Sequence, residues 1–149
     1  MAQGYAQIEG VDFGEIFAPI ARLEAIRLLL DFACVRQIML FQMDVKCAFL
    51  NGYISEEVYV TQPKGFFGPI NPDYVYKLRK ALYGLKQAPR AWYDRLSTFL
   101  LNQGFSRGDT DKTMFIKKKA QKFLVAQVYV DDIIFGGQSQ SIITAICKA

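Results

Sequence analysis

The sequence predicts an α+β fold, and three observations carry that prediction. Two stretches space their apolar residues helically, and between and after them lie short runs with alternating or continuous apolar patterning. Helices and strands do not alternate regularly, so a doubly wound parallel sheet is not expected. Hydrophobic residues make up 52% and charged residues 21% of 149 positions, enough to bury a core of ordinary size and too apolar for disorder. No internal repeat or low-complexity linker divides the chain.

Residues 1–17 read as irregular or extended. Pro19 then opens a helical segment in which Ile20, Leu23, Ile26, Leu30 and Ala33 form one stripe, with Arg22, Arg27 and Asp31 off it. From Met39 to Val45 the pattern is that of a strand. Met39, Phe41, Met43 and Val45 share one face; Leu40, Gln42 and Asp44 share the other. The turn signals Asn51-Gly52 and Pro63-Lys64-Gly65 bracket a strand around Val58-Tyr59-Val60, and a further strand is expected around Val75–Leu78.

Pro89 starts a second helix, with Trp92, Leu96, Phe99 and Leu100 at helical intervals and Gly104 as its stop. Two strands follow, about Thr113–Lys117 and Lys122–Val130, joined by the basic turn Lys118-Lys119-Ala120-Gln121. The run Lys117-Lys118-Lys119 suits solubility and edge protection better than a binding patch. After Asp131-Asp132 the apolar Ile133-Ile134-Phe135 forms another strand, stopped by Gly136-Gly137, and the tail from Ser139 reads as the beginning of a helix.

Composition narrows the chemistry. The net charge is +4 and the pI about 9.0, which is compatible with nucleic acid and a weak signal alone. Cys34, Cys47 and Cys147 are scattered and odd in number, so they are expected to be small buried apolar residues, not a disulfide frame or zinc site. Histidine is absent. That excludes Ser-His-Asp and Cys-His catalysis within the chain, leaving carboxylates, lysines, tyrosines or a bound cation. No apolar run approaches the ~18 residues of a membrane span, and the first residues lack signal-peptide regions. An intracellular protein is the expectation.

The most informative stretch is Val128-Tyr129-Val130-Asp131-Asp132-Ile133-Ile134-Phe135. Two adjacent acids sit where one hydrophobic strand reverses into another. A plain hairpin turn is one reading, since Asp tolerates tight-turn backbone angles. The other is a cation site, because two like charges side by side cost energy unless neutralised. Magnesium suits such a place: it takes a few carboxylate oxygens and shares its other positions with water and phosphate. Asp44 ends a strand and could be a third ligand, completing a site for two metal ions. A solvated strand end is the alternative for Asp44.

Several blocks together resemble the copia-type reverse transcriptases. In order they are Phe17-Ala18-Pro19, Ala21-Arg22-Leu23-Glu24-Ala25-Ile26-Arg27, Gln42-Met43-Asp44-Val45-Lys46 with Ala48-Phe49-Leu50-Asn51-Gly52, and Gln62-Pro63-Lys64-Gly65-Phe66. Leu82-Tyr83-Gly84-Leu85-Lys86-Gln87-Ala88-Pro89-Arg90 with Trp92-Tyr93 follows, and Tyr129-Val130-Asp131-Asp132 closes the series. A lone Tyr-x-Asp-Asp would be weak; this ordered series across the chain is specific.

The resemblance implies the fingers and palm of a right-hand polymerase, with an antiparallel palm sheet, spanning residues 1–149. It implies RNA-directed DNA polymerase activity on an RNA or DNA template and primer with dNTPs. Asp44, Asp131 and Asp132 match the family's metal-binding carboxylates, for two Mg2+ ions or Mn2+ in their place. Phe49 matches the aromatic beside the sugar of the incoming nucleotide, where a ring would disfavour a 2′ hydroxyl. Tyr83 and Gly84 match the loop lining the nucleotide pocket, Gly84 allowing close backbone approach. Tyr129 is expected near the primer end, and Trp92 in the core of the second helix. Lys86 and Arg90 suit template phosphates or, equally, a solvated helix start.

Departures temper the carry-over. Cys47 stands where the family usually has a small hydroxyl residue, and Gln3 where it usually has a basic one. An N-terminal fingers strand, the primer-grip hairpin and the thumb are expected outside this sequence, as are integrase, protease and ribonuclease H modules. The fragment alone is therefore expected to be inactive. An intact parent element would work in a cytoplasmic virus-like particle. Two other classes stand beside the polymerase: a catalytically inactive nucleic-acid-binding remnant, and a metal nuclease sharing the acids, against which Phe49 and Tyr83-Gly84 speak.

Overall fold

A computed structural model of the chain describes residues 2–119 and 122–138. In chain order the elements are α1 (Leu23–Val35), β1 (Leu40–Asp44), β2 (Tyr59–Thr61), β3 (Val75–Lys77), α2 (Ala88–Asn102), β4 (Ser106–Arg107), β5 (Met114–Lys119), β6 (Lys122–Tyr129) and β7 (Asp132–Gly137). The mixed helix-and-strand expectation holds, with antiparallel pairing throughout these strands. No helix among the described residues is long and apolar enough to cross a membrane. The chain divides into two compact units. One comprises residues up to Ala18 with Cys47–Arg95; the other comprises Pro19–Lys46 with the described residues from Leu96 onward.

The second unit is built on a five-stranded sheet in the order β1-β7-β6-β5-β4. Strand register sorts its side chains into two faces. Phe41 lies opposite Phe135, Ala126 opposite Phe135 and Phe115 opposite Ala126, so these share a face with Leu124, Val128 and Ile133. Phe115, Phe135 and Leu124 on that face have almost no exposure, and Val125 and Gln127 on the other face are buried as well. The other face carries Gln42, Asp44, Asp132, Ile134, Gln127, Val125 and Phe123. Phe32 of α1 meets Phe123 with ring centroids 5.9 Å apart. Between α1 and β5–β6 lies an apolar cavity of about 690 Å3, lined by residues including Leu28, Leu29, Phe32, Met114 and Phe123.

Helix α1 begins at Leu23, later than Pro19 suggests. Ala18 has no side-chain oxygen to cap a helix there, whereas Glu24 places a negative charge in the first turn. The inward stripe also differs from expectation. Leu29 and Ala33 are buried and Ala25 and Ile26 half-buried, while Leu23 and Leu30 are 61% and 48% exposed. Helix α2 follows its pattern: Trp92, Leu96 and Leu100 are buried. Gly104, at φ +82°, lets the N–H of Phe105 reach the Leu100 carbonyl at 3.1 Å and end the helix.

Two glycines read as a strand stop instead continue β7. Gly136 sits against the Met39 carbonyl and Leu40, and Gly137 against the Phe123 carbonyl and Leu124, where a Cβ would collide. The two-residue β4 is too short to leave a sequence pattern. The expected helix from Ser139 and the Ala120-Gln121 turn lie outside the described residues.

In the first unit β2 pairs with β3, Tyr59 opposite Lys77. Its core gathers Val58, Ala81, Leu85, Ala88 and Ala91, with Phe49, Ile54, Leu78 and Leu82 packed against them. Cys34 and Cys47, expected inside, are both exposed. Cys34 falls on the outer side of α1. Cys47 occupies a left-handed position, φ +57°, before a 3-10 turn at Ala48–Asn51, so backbone geometry and not apolar burial sets its place. Cys147 lies outside the described residues.

Candidate active site

The three acids come together at one end of the five-stranded sheet. Strands β6 and β7 are joined by Val130 and Asp131 alone, since Tyr129 still pairs with Asp132. Asp132 in turn lies directly opposite Asp44, the last residue of β1. One residue further, the N–H of Val45 donates to the Asp131 carbonyl at 2.9 Å. Asp44, Asp132 and Tyr129 therefore form a row across three strands on one face, with Asp131 at the turn beside them. Asp44 is exposed, and Asp131 and Asp132 are partly so. Directly opposed like charges destabilise a strand pair unless they are neutralised.

The turn itself is strained. Val130 has φ +56°, a region a β-branched side chain rarely enters. In a two-residue hairpin loop with only its first central residue at positive φ, glycine is the usual occupant. Such strain persists only where the surrounding pairing enforces it, and it clusters at functional sites.

Side chains are arranged less tightly than backbones. The Nε2 of Gln42, exposed on the same face of β1, donates to Oδ1 of Asp132 at 3.0 Å. Among the described residues no three carboxylate or thiol side chains are gathered as a group that could hold a metal. The donor set nonetheless fits a hard cation, being all carboxylate oxygen, without nitrogen or sulfur. Magnesium needs one or two carboxylates plus water and substrate phosphate, not a closed protein cage.

The residues assigned to the nucleotide pocket belong to the first unit. Phe49 and Tyr83 meet with ring centroids 4.9 Å apart and planes at 41°. Gly84 has φ +99°, and its carbonyl oxygen lies where a Cβ on Gly4 would collide with it. The N–H of Ala2 donates to the Tyr83 carbonyl at 2.8 Å, tying the N-terminal segment to this loop.

Lys86 and Arg90 are held by that same segment. Lys86 Nζ donates to the Gln7 carbonyl at 3.1 Å and lies 5.1 Å from the Phe13 ring centroid. Arg90 donates to the Glu15 carbonyl at 3.0 Å and pairs with the Glu15 and Asp94 carboxylates at 3.2 and 3.7 Å. No pattern in residues 1–17 announces these ties. Trp92 is buried in α2 as expected. Lys117, read as part of a solubility and edge-protection run, donates to the Gln103 carbonyl at 2.6 Å, near the end of α2. Sequence reasoning passed over Gln42 and the strained Val130. The outward-facing amide next to Asp44 was the available signal for the first.

The family described as reverse transcriptase (RNA-dependent DNA polymerase) matches residues 1–149, and the chain belongs to it. Its relatives are of the copia type that the motifs resemble. The chain is 45% identical over 137 residues to a retrovirus-related Pol polyprotein from transposon RE2 of Arabidopsis thaliana, covering 92% of this chain and 9% of that protein. It is 43% identical over 143 residues to the RE1 counterpart from the same plant, covering 96% of the chain and 10% of the relative. A Pol polyprotein from transposon TNT 1-94 of Nicotiana tabacum is 37% identical over 147 residues, covering 98% of the chain and 11% of the relative. The chain thus spans about a tenth of the length of these relatives. No solved structure matches.

Proposed function

We propose that this chain is the fingers and palm of a copia-type retrotransposon reverse transcriptase, extending a primer 3′ hydroxyl on an RNA or DNA template. The observation that carries the reading is the register placing Asp44 opposite Asp132, with Asp131 bonded through its carbonyl to Val45. Asp44, Asp131 and Asp132 would hold two divalent ions, magnesium or manganese. Such ions supply charge neutralisation at the attacking hydroxyl and the leaving pyrophosphate. The protein's own part is positioning. Strand pairing sets the backbones of Asp44 and Asp132 opposite one another, and Tyr129 continues their row; in the first unit, Phe49, Tyr83 and Gly84 are the residues the resemblance assigns to the deoxynucleotide. Binding geometry and electrostatics then carry the reaction, without a covalent intermediate.

In a longer polypeptide carrying the complete polymerase, Asp131→Asn should abolish primer extension while template binding is largely kept. Synthesis retained by that variant would remove Asp131 from the metal role. The second reading is a catalytically inactive nucleic-acid-binding remnant. Primer extension by the 149-residue chain itself would reject the remnant.

A further inference from the structure

We propose that Gln42 is a positioning residue for the metal site: its amide fixes the Asp132 carboxylate so that one oxygen stays turned toward the ions. This rests on the reading of Asp44, Asp131 and Asp132 as metal ligands. Gln42 and Asp44 are two residues apart on one face of β1, and Asp132 is the partner of Asp44. Gln42 is thus the diagonal neighbour of Asp132, within reach of a long side chain. The contact is made: Nε2 to Oδ1 at 3.0 Å. A carboxylate at a strand end beside a second carboxylate has several rotamers, and repulsion from Asp44 alone would turn it outward. A neutral donor opposes that rotation without adding charge.

The amide occupies one lone pair of Oδ1 and leaves Oδ2 open. An ion can therefore bind without breaking the contact. Partners behind a metal ligand commonly matter 10- to 100-fold, roughly, in affinity or activity. Glutamine also accounts for the chemistry of the position: a lysine would compete with the ions for the carboxylate, and an apolar residue would leave Asp132 unheld.

The test is Mn2+ binding to the 149-residue chain, followed by electron paramagnetic resonance of free Mn2+. Parent, Gln42→Met, Gln42→Asn, Asp44→Asn and Asp131→Asn are compared. Gln42→Met keeps length and removes the donor; Gln42→Asn keeps the amide but falls short of Asp132. Both should weaken Mn2+ binding about tenfold, with urea midpoints at the parent value because the side chain is exposed. In the longer polypeptide, half-saturating Mg2+ for primer extension should rise by a similar factor, with kcat at saturating Mg2+ retained. If Gln42→Met binds Mn2+ as the parent does while the Asp variants lose it, the positioning role falls and the metal site stands. If Asp44→Asn and Asp131→Asn bind undiminished, the metal site falls and takes Gln42 with it. A Gln42→Met chain that loses stability in step with Mn2+ would also overturn the proposal, leaving a structural role.

Discussion

At the scale of single residues, Val130 shows how much the fold enforces at the acid turn. Its φ of +56° costs an L residue about 1–2 kcal/mol. Val130→Gly should relieve part of this and raise unfolding stability by about 1 kcal/mol, net of glycine's entropy cost; equal or lower stability in urea melts would show the turn unstrained. A second residue-scale expectation concerns sugar discrimination. Phe49 packs against Tyr83 with the ring planes tilted, and with this wall beside the nucleotide sugar, Phe49→Ala in the longer polypeptide should raise ribonucleotide incorporation relative to deoxynucleotide. An unchanged ratio in paired incorporation assays would return Phe49 to a packing role.

At the scale of elements, a polar network joins β6 to the loop before β5. Nε2 of the fully buried Gln127 donates to Oδ2 of Asp111 at 3.1 Å and to Oγ1 of Thr113 at 2.6 Å. Burial works hardest against ionisation of Asp111. Hydrogen bonds from the side chain and backbone of Thr113 and from Gln127, with the nearby Arg22 charge, together outweigh it and hold the carboxyl below its ordinary value. A lowered folded-state value means the folded chain binds fewer protons. The stabilisation is therefore complete above the unfolded carboxylate value, about 3.9, and is lost as pH falls through the folded one. Asp111→Ala should cost about 1–3 kcal/mol at neutral pH by stranding a buried donor, and should flatten the acid limb of stability below about pH 4. A pH profile parallel to the parent's would remove Asp111 from that role.

The elements also show what a sequence can disclose. Strands β1, β5, β6 and β7 were legible because apolar runs and alternation are local, and Gly104 ended α2 as glycine chemistry dictates. The start of α1 was not, since Ala18 offers no cap and the inward stripe is chosen by the sheet it faces. Gly136 and Gly137 misled because close backbone approach and chain reversal favour the same residue. The meeting of Asp44 with Asp132 is a pairing across 88 positions (132 − 44), which no local pattern encodes; the family motifs alone foretold it. The ties of Lys86 and Arg90 to Gln7 and Glu15 are equally remote.

At the scale of the whole molecule, the exposed apolar surface is large. Leu28 is 70%, Val35 80%, Phe66 76% and Ile70 86% exposed, and the cavity beside α1 is apolar-lined. Surface of this kind drives self-association. The chain should sediment as a concentration-dependent mixture, and Leu28→Lys with Val35→Lys should shift it toward monomer. A monodisperse parent with one cooperative melt would contradict this. The sheet register carries a different consequence, for how such a sequence decays. Because side chains alternate along β1, deleting a single codon between Leu40 and Asp44 would swing the carboxylate to the opposite surface, whereas most conservative replacements there would leave it in place. Small insertions and deletions in β1, more than conservative point changes, would remove the acid from its place opposite Asp132.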